Sequence, residues 1–597
     1  MVQMDKKRPY LATTAISEVW DTQCEQLILL GPWCQIKPKN AKILQNRSWD
    51  MAPSPWALRT GLQRADRYCN EIFEKILTPL TAFLNEVHNQ NFSSRYWRIL
   101  IGPWLRYFIA ALYDRYIRLE MVFQYAPSFY TNIIPPQKCQ IIPHEIMESG
   151  NLIRLDNIFN LKMFSLIGFN LFPDNIEILN VDDNFFSRNR TIIPESKTRS
   201  IWAKKIIYGL IKLTEGKKEK EVILAHLGFS FFEMLKLKMS FGWKKLGLNY
   251  PGVEKKIRFS PENNSFSAVR NEKIIGGKGR FEEFLYGILP KTIPKAYMEN
   301  YQQYRDVVKS APLPKAIGSS EGWHSVETFK FFAAEARENG TLTMEFAQGG
   351  SYHKLVNMSY AIFEDKDVVF ESKDKFNSNR ATYSLPNPAL SIIKNTHREQ
   401  NDKILFIGNI VAPYFYRIIT HIMPEDVPGY FSDKKIFLSN LETSLKEKIW
   451  YRPYPAEVGW GEIDWCIKNF PTMVFATKGT AVNLMKKARM VVTDWPSSIH
   501  FQAFSIGVPC VLFWDPDIHL VAPEAQSYFD NLRKAGILHD SPESAASKVN
   551  EVYQAPMSWW KSPHVQNVKD EFCQHFARTS DDWVADWKKE LLKITKQ

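Results

Sequence analysis

The chain has 597 residues, 45% hydrophobic, 23% charged and 14% aromatic, which supports a sizeable folded core and excludes a disordered or fibrous chain. Its seven cysteines are odd in number, dispersed and never spaced as CxxC, which excludes a zinc ribbon and a disulfide frame and predicts reduced thiols in a cytoplasm. The net charge of +12 decides little by itself, and at roughly 150 residues per domain the length predicts two or more domains.

The N-terminus, Met1 to Arg8, is basic but leads into polar residues rather than an apolar run, so no secretory signal is expected. A short apolar run, Gln26 to Leu30, ending in Gly31-Pro32-Trp33-Cys34, predicts a buried strand that stops at a tight loop. From Leu58 to Val87 and from Tyr96 to Val122 apolar residues recur at helical spacing, so the first part is helix-rich. The most hydrophobic stretch, Ile99 to Tyr113, is broken by Arg106 and closed by Asp114-Arg115, and no membrane span is expected. Short strand-like runs follow at Ile141-Ile142, Ile176 to Val181 and Val222 to Leu227, alternating with helical patterns as in a parallel sheet wrapped by helices.

Between Lys197 and Arg258 lysines outnumber acids and alternate with apolar residues, among them Ile206-Ile207, Phe229, Phe231-Phe232, Leu235 and Trp243. Such a stretch is either a solvated helical face or a contact for an anionic membrane surface. Lys315 to Gly350 outlines a βαβ unit, and after Asn401-Asp402 strand-like runs at 404–407, 473–476, 490–493 and 508–514 alternate regularly with helical ones. Residues 1–400 are therefore read as a first lobe with helical insertions. Residues 401–562 form a second, Rossmann-like lobe that binds the nucleotide, and 563–597 a helical tail folding back on the first lobe.

In an open parallel sheet ligands bind beyond the carboxyl ends of strands. Three places there stand out. Thr493-Asp494-Trp495-Pro496-Ser497-Ser498 is a strand end leading to a helix whose free amides and hydroxyls suit a phosphate, although N-capping alone also explains the serines. Arg452-Pro453-Tyr454-Pro455, followed by Gly459-Trp460-Gly461, holds Arg452 and Tyr454 rigidly, and a guanidinium matches phosphate; the plain alternative is an extended linker. Gln348-Gly349-Gly350-Ser351-Tyr352-His353 permits close backbone approach to a ligand and offers His353 as acid or base. Gly318-Ser319-Ser320-Glu321-Gly322 fits the G-x-S-x-G nucleophile elbow, but no triad acid and histidine follow in a recognisable context. Asp515-Pro516-Asp517 offers too few oxygens for a hard metal, and Gly276 to Arg280 lacks Walker spacing, so neither a metal nor a cofactor is expected.

Ala12-Thr13-Thr14-Ala15 with Trp20, Leu29 to Cys34, His88, Arg95 to Trp104 and Tyr113-Asp114-Arg115-Tyr116 resemble the transferases encoded in bacterial O-antigen and surface-polysaccharide loci, first described from spirochaetes. The resemblance continues through Gln348-Gly349-Gly350, Arg452 to Pro455 with Gly459-Trp460, and Ser498 to Leu512, and so covers nearly the whole chain. It implies an α/β fold of two Rossmann-like, GT-B-like lobes with a helix-rich N-terminal elaboration. It also implies a glycosyltransferase that takes a nucleotide-activated sugar, cytidine monophosphate ulosonates among the donors, and extends a lipid-linked or oligosaccharide acceptor. Two positions depart from the family pattern: Ser498 is followed by Gln502 where Glu is usual, and no histidine stands between Gln348 and Gly349.

Donor phosphate is therefore assigned to Arg452, Tyr454, Ser497, Ser498 and Gln502, with Gln348, Gly349, Gly350, Gly459 and Trp460 near it. The base is sought among His353, Glu321 and His324. A polyol-phosphate transferase and a non-catalytic glycan- or membrane-binding scaffold remain alternatives. The site of action is expected in the cytoplasm, with peripheral contact to anionic lipid through Lys204 to Arg258.

Overall fold

A computed structural model describes residues 8–182, 184–190, 220–242, 245–248, 250, 266–346, 368–371, 381–394, 396–409, 411–418, 422–456 and 458–595. For 368–371, 381–384 and 594–595 only the backbone is described. Its first layer is organised by two long helices. Arg59–His88 buries Leu62, Ala65, Cys69, Ile72, Ile76, Leu80 and Leu84, a stripe at three- and four-residue spacing, and ends at Asn89 in the left-handed region. Ser93 caps the second helix, Ser94–Tyr125, by accepting from Tyr96 N at 3.3 Å. That helix is buried along most of its length because it packs on Arg59–His88, Ile146–Leu155, Asn157–Leu171 and Glu327–Glu338.

The helix-rich layer also holds a small parallel sheet, two strands of which fall in the runs expected from Gln26 to Leu30 and from Ile176 to Val181. β1 (Tyr10–Ala12), β2 (Leu27–Leu29) and β3 (Trp49–Met51) pair in that order, while β4 (Thr131–Ile133) pairs with β5 (Ile176–Ile178). A parallel bridge between Tyr10 and Tyr130 joins the two pieces into the spatial order β3-β2-β1-β4-β5. The other three strands, β1, β3 and β4, are too short at three residues each to show a period. The strand expected at Ile141-Ile142 is a loop.

Two six-stranded parallel sheets follow. The first runs β7-β6-β8-β9-β10-β11, built from β6 (Val222–Ala225), β7 (Leu246–Gly247), β8 (Ala316–Ser319), β9 (Leu342–Phe346), β10 (Val368–Glu371) and β11 (Ala381–Ser384). The second runs β14-β13-β12-β15-β16-β17, built from β12 (Ile404–Ile407), β13 (Ile449–Arg452), β14 (Val474–Phe475), β15 (Met490–Thr493), β16 (Cys510–Phe513) and β17 (Leu538–His539). In chain order the second sheet reads 3-2-1-4-5-6, the doubly wound dinucleotide-binding order, and the first reads 2-1-3-4-5-6, the flavodoxin-like one. The chain is thus α/β with two Rossmann-like lobes, as expected, and the first layer packs against both.

The tail divides between the lobes. Pro563–Phe576 packs on Gln526–Lys534 and Ser498–Ile506 of the second lobe, whereas Trp583–Thr595 lies on Phe231–Phe241 of the first. There Trp583 and Trp587 meet Phe229 edge-on, and Trp587 stacks on Phe346 at 5.0 Å. This contact corrects the membrane expectation in part: it covers much of the apolar side of Phe231–Phe241, and Lys238 is fully buried. Phe232, Lys236, Met239 and Lys245 remain exposed, while 204–219, Trp243, Lys244 and 251–258 lie outside the described residues. No described helix is long and apolar enough to cross a membrane.

Candidate active site

The second sheet reverses its strand order between β12 and β15, and the carboxyl ends of these two strands are where an open sheet of this order takes its ligands. The loop after β12 starts at Gly408, where a Cβ would strike the Tyr451 hydroxyl and stand 3.0 Å from Lys434 Nζ, so the position has no room for a side chain. Asn409 N donates to Tyr430 Oη at 3.0 Å, and that hydroxyl in turn faces Asp494 Oδ1 at 2.9 Å. Tyr430 therefore ties the loop after β12 to the loop after β15.

Beneath this tie lies a buried ionic network. Lys434 Nζ pairs with Glu462, stands 3.8 Å from Asp494 Oδ2, donates to Tyr451 Oη at 2.8 Å and sits 4.1 Å over the Tyr430 ring. Tyr451 Oη donates to Glu462 Oε1 at 2.6 Å. Burial raises the Asp494 carboxyl to about 6, a shift that the Lys434 ammonium opposes. The sequence reading missed Lys434 and Glu462, which lie on different helices.

Above the network Ser497 caps the helix Ser498–Ile506, its hydroxyl accepting from Ile499 N at 3.3 Å. Ser498 is exposed, and Gln502 lies one turn further on the same face. Trp460 donates from Nε1 to Val411 O at 2.7 Å and packs against the cluster of Trp495, Tyr430 and Val427, so the loop after β13 reaches the same end of the sheet. Gly459 makes this approach at φ +100°, beside Ile36 of the first layer. Ser497, Ser498, Gln502, Gly459 and Trp460 thus gather around one end of the sheet.

Arg452 does not join them. Its guanidinium donates to Ala476 O at 2.8 Å and Gly479 O at 3.0 Å, on the β14 side of β13, while Ser497 follows β15 two strands away on the other side. Arg452 braces the loop after β14, and Tyr454 beside it is exposed.

The first six-stranded sheet has its own switch point, between β6 and β8. Glu321 is exposed there, and its backbone N donates to His226 O at 3.1 Å. His324 Nε2 lies 3.7 Å from Glu345 Oε1 at the end of β9. The residue missed here is His226, the first after β6. It holds φ +53° without being glycine, and Nε2 is hydrogen-bonded to Tyr250 Oη at 2.9 Å. Burial lowers its pKa to about 4, so the imidazole is neutral near pH 7. The elbow-like glycines serve packing: a Cβ on Gly318 would meet Leu224 at 3.0 Å, and one on Gly322 would meet Phe329 at 2.8 Å. Ser320, at the nucleophile position, is buried. Gln348, Gly349, Gly350 and His353 lie outside the described residues.

A family model described as LIC12162 family transferase matches residues 9–591. The chain belongs to that family. No curated protein matches this member of the LIC12162 family. Among solved structures it is similar to a wall teichoic acid polymerase, TagF, with 10% identity over 66% of this chain and 96% of that one, TM-score 0.33. It is similar also to WaaG, a glycosyltransferase of lipopolysaccharide biosynthesis, with 12% identity over 63% and 99% and TM-score 0.26. A third is the spinosyn rhamnosyltransferase SpnG, with 9% identity over 63% and 100% and TM-score 0.29.

Proposed function

We propose that this LIC12162 family transferase is a glycosyltransferase of GT-B type, moving a sugar from a nucleotide-activated donor to a surface-polysaccharide acceptor. The observation that carries the reading is the switch point of the 3-2-1-4-5-6 sheet, where an open helix start with Ser497 and Ser498 stands beside a loop that tolerates only glycine at 408. Helix amides and the two hydroxyls would stabilise charge on the departing nucleotide phosphate, and Gln502 lies on the same face for the ribose or sugar hydroxyls. Arg452 and Tyr454 enter this reading as the frame of the neighbouring loop. The first six-stranded sheet supplies the acceptor side.

Cytidine monophosphate ulosonates stand among the donors to be tried beside uridine, guanosine and thymidine diphosphate sugars. Isothermal titration of the whole chain with this panel tests the site. Ser498→Ala is expected to weaken the bound nucleotide about tenfold, the worth of one hydrogen bond to a charged group. Equal binding by wild type and Ser498→Ala would remove the helix start from the site, and a phosphodiester increment in the acceptor's mass would replace glycosyl transfer by phospho-polyol transfer. We further place the acceptor at a membrane surface, reached through the exposed Phe232, Lys236 and Met239.

A further inference from the structure

We infer that His226 is the general base of the transfer, a step that rests on the glycosyltransferase reading above. Three observations meet at this residue. It is the first residue after β6, at the switch point of the 2-1-3-4-5-6 sheet, where a ligand on the acceptor side would lie. Its backbone sits at φ +53°, a conformation uncommon for a residue with a Cβ, and one that persists where the surroundings enforce it. Here the enforcing contacts are close at hand: Glu321 N donates to the His226 carbonyl at 3.1 Å, and the ring meets Tyr250 and Phe329 edge-on.

The hydrogen bonds admit the tautomer that a base requires. Tyr250 Oη lies 2.9 Å from His226 Nε2 and 3.3 Å from Thr328 Oγ1. With the tyrosine proton on Thr328, Tyr250 accepts Nε2–H and the lone pair stands on Nδ1. Burial keeps the ring neutral, as a base must be before reaction. The three candidates drawn from sequence are less suited or undescribed: Glu321 is exposed to solvent, His324 is engaged with Glu345, and His353 lies outside the described residues.

The step balances without an added reagent. The acceptor O–H bond breaks and its proton passes to Nδ1. The oxygen lone pair forms the new bond to the anomeric carbon, and the bond from that carbon to phosphate oxygen breaks, its electron pair leaving with the nucleotide. Water in place of the acceptor gives slow donor hydrolysis by the same route.

The test uses the full chain and the release of free nucleotide from the donor panel, with water as acceptor. His226→Asn is the informative variant, because asparagine tolerates the left-handed region and keeps the backbone in place. Donor affinity by titration is expected to stay within about twofold, while turnover falls by about 10² to 10⁴. His226→Gly should lose turnover likewise, and added imidazole should restore a measurable part of it. Turnover of His226→Asn within threefold of wild type, or no rescue of His226→Gly by imidazole, overturns the assignment of the base. Absence of any release by wild type from any donor, despite binding, overturns the glycosyltransferase reading and this inference with it.

Discussion

Replacing Lys434 by methionine tests the core of the second lobe. The ammonium is 1% exposed, and its carboxylate partners Glu462 and Asp494 are 2% exposed in their side chains. Methionine nearly conserves the volume, so little cavity is added. Removing the charge, however, leaves two buried carboxylates and the Tyr451 hydroxyl without their shared cation. Breaking a buried pair from one side costs about 3–5 kcal/mol, because the remaining charge stays desolvated. The cost here belongs in that range, since Asp494 already sits near 6 with Lys434 in place and must rise further without it. Urea unfolding of the intact chain should show the loss, and hydrogen exchange across β12 and β15 should assign it to this lobe. Adding Glu462→Gln to Lys434→Met removes one of the orphaned charges and should recover about half of the loss. A single variant within about 1 kcal/mol of wild type, or a double variant as damaged as the sum of the singles, would refute the account of a coupled buried network.

The Asp494 carboxyl gives a pH dependence with a definite sign: its folded pKa of about 6 lies above the ordinary value, so between about pH 6 and 4 the folded state binds the extra proton. Stability attributable to it therefore rises as pH falls through that window, by up to about 3 kcal/mol at 1.36 kcal/mol per unit, and Asp494→Asn should flatten that part of the slope in urea titrations. Asp433, also raised to about 6 by burial and the nearby Asp515 and Glu543, leaves a residual slope of the same sign. Arg452→Ala should speed hydrogen exchange in the loop after β14 yet leave the salt dependence of nucleotide binding unchanged; a flatter salt dependence would restore Arg452 to the phosphate site. In flotation with anionic vesicles, Phe232→Ser with Met239→Ser and Lys236→Glu should lower recovery at low salt, whereas Lys238→Glu should act by lowering the unfolding temperature, its side chain being buried. Equal recovery on neutral and anionic vesicles would dismiss the membrane contact.

Much of the second lobe was legible because β12 and β16 carry four apolar residues each, β15 three, and several of its helices have readable caps. Ser541 with Pro542 opens Pro542–Val552 as expected, its hydroxyl accepting from Ser544 N at 3.2 Å. β13 was not legible: Ile449 to Arg452 reads Ile-Trp-Tyr-Arg before two prolines, so an aromatic linker and a strand look alike until neighbours pair with it. Glu462–Asn469 has no polar cap, its N-cap being Gly461 at φ +65°. His226 was hidden inside the run from Val222 to Leu227, whose apolar flanks suggest continued strand where the chain turns left-handed. Lys434, Glu462 and Asp494 could not be joined from sequence, because two parallel crossovers bring them together and neither leaves a local signal.

The first layer shows why a resemblance can locate important residues without giving their role. Its small sheet, β3-β2-β1-β4-β5, has a switch point of its own between β1 and β4, and in a free-standing domain a ligand would lie there. Here protein fills the place. Trp33 and Trp20 donate to Thr13 O and Thr14 O, each at 2.9 Å, and Asn40 donates to Ala15 O at 3.0 Å. Gly31 is required because a Cβ would overlap the Trp33 ring. Onto this edge the loop after β12 lays Tyr414 and Phe415. Tyr414 meets Trp33 at 5.4 Å and donates to Asn157 Oδ1 at 2.6 Å, Phe415 stacks on Trp56 at 5.8 Å, and Arg115 donates to the Phe415 carbonyl. Burying two such rings contributes about 1.5–3 kcal/mol each, enough to hold the loop in one place. That loop begins with Gly408 and Asn409 at the switch point of the second six-stranded sheet, so Thr13-Thr14, Gly31-Pro32-Trp33 and Arg115 form a socket that holds the loop leading from the proposed nucleotide site.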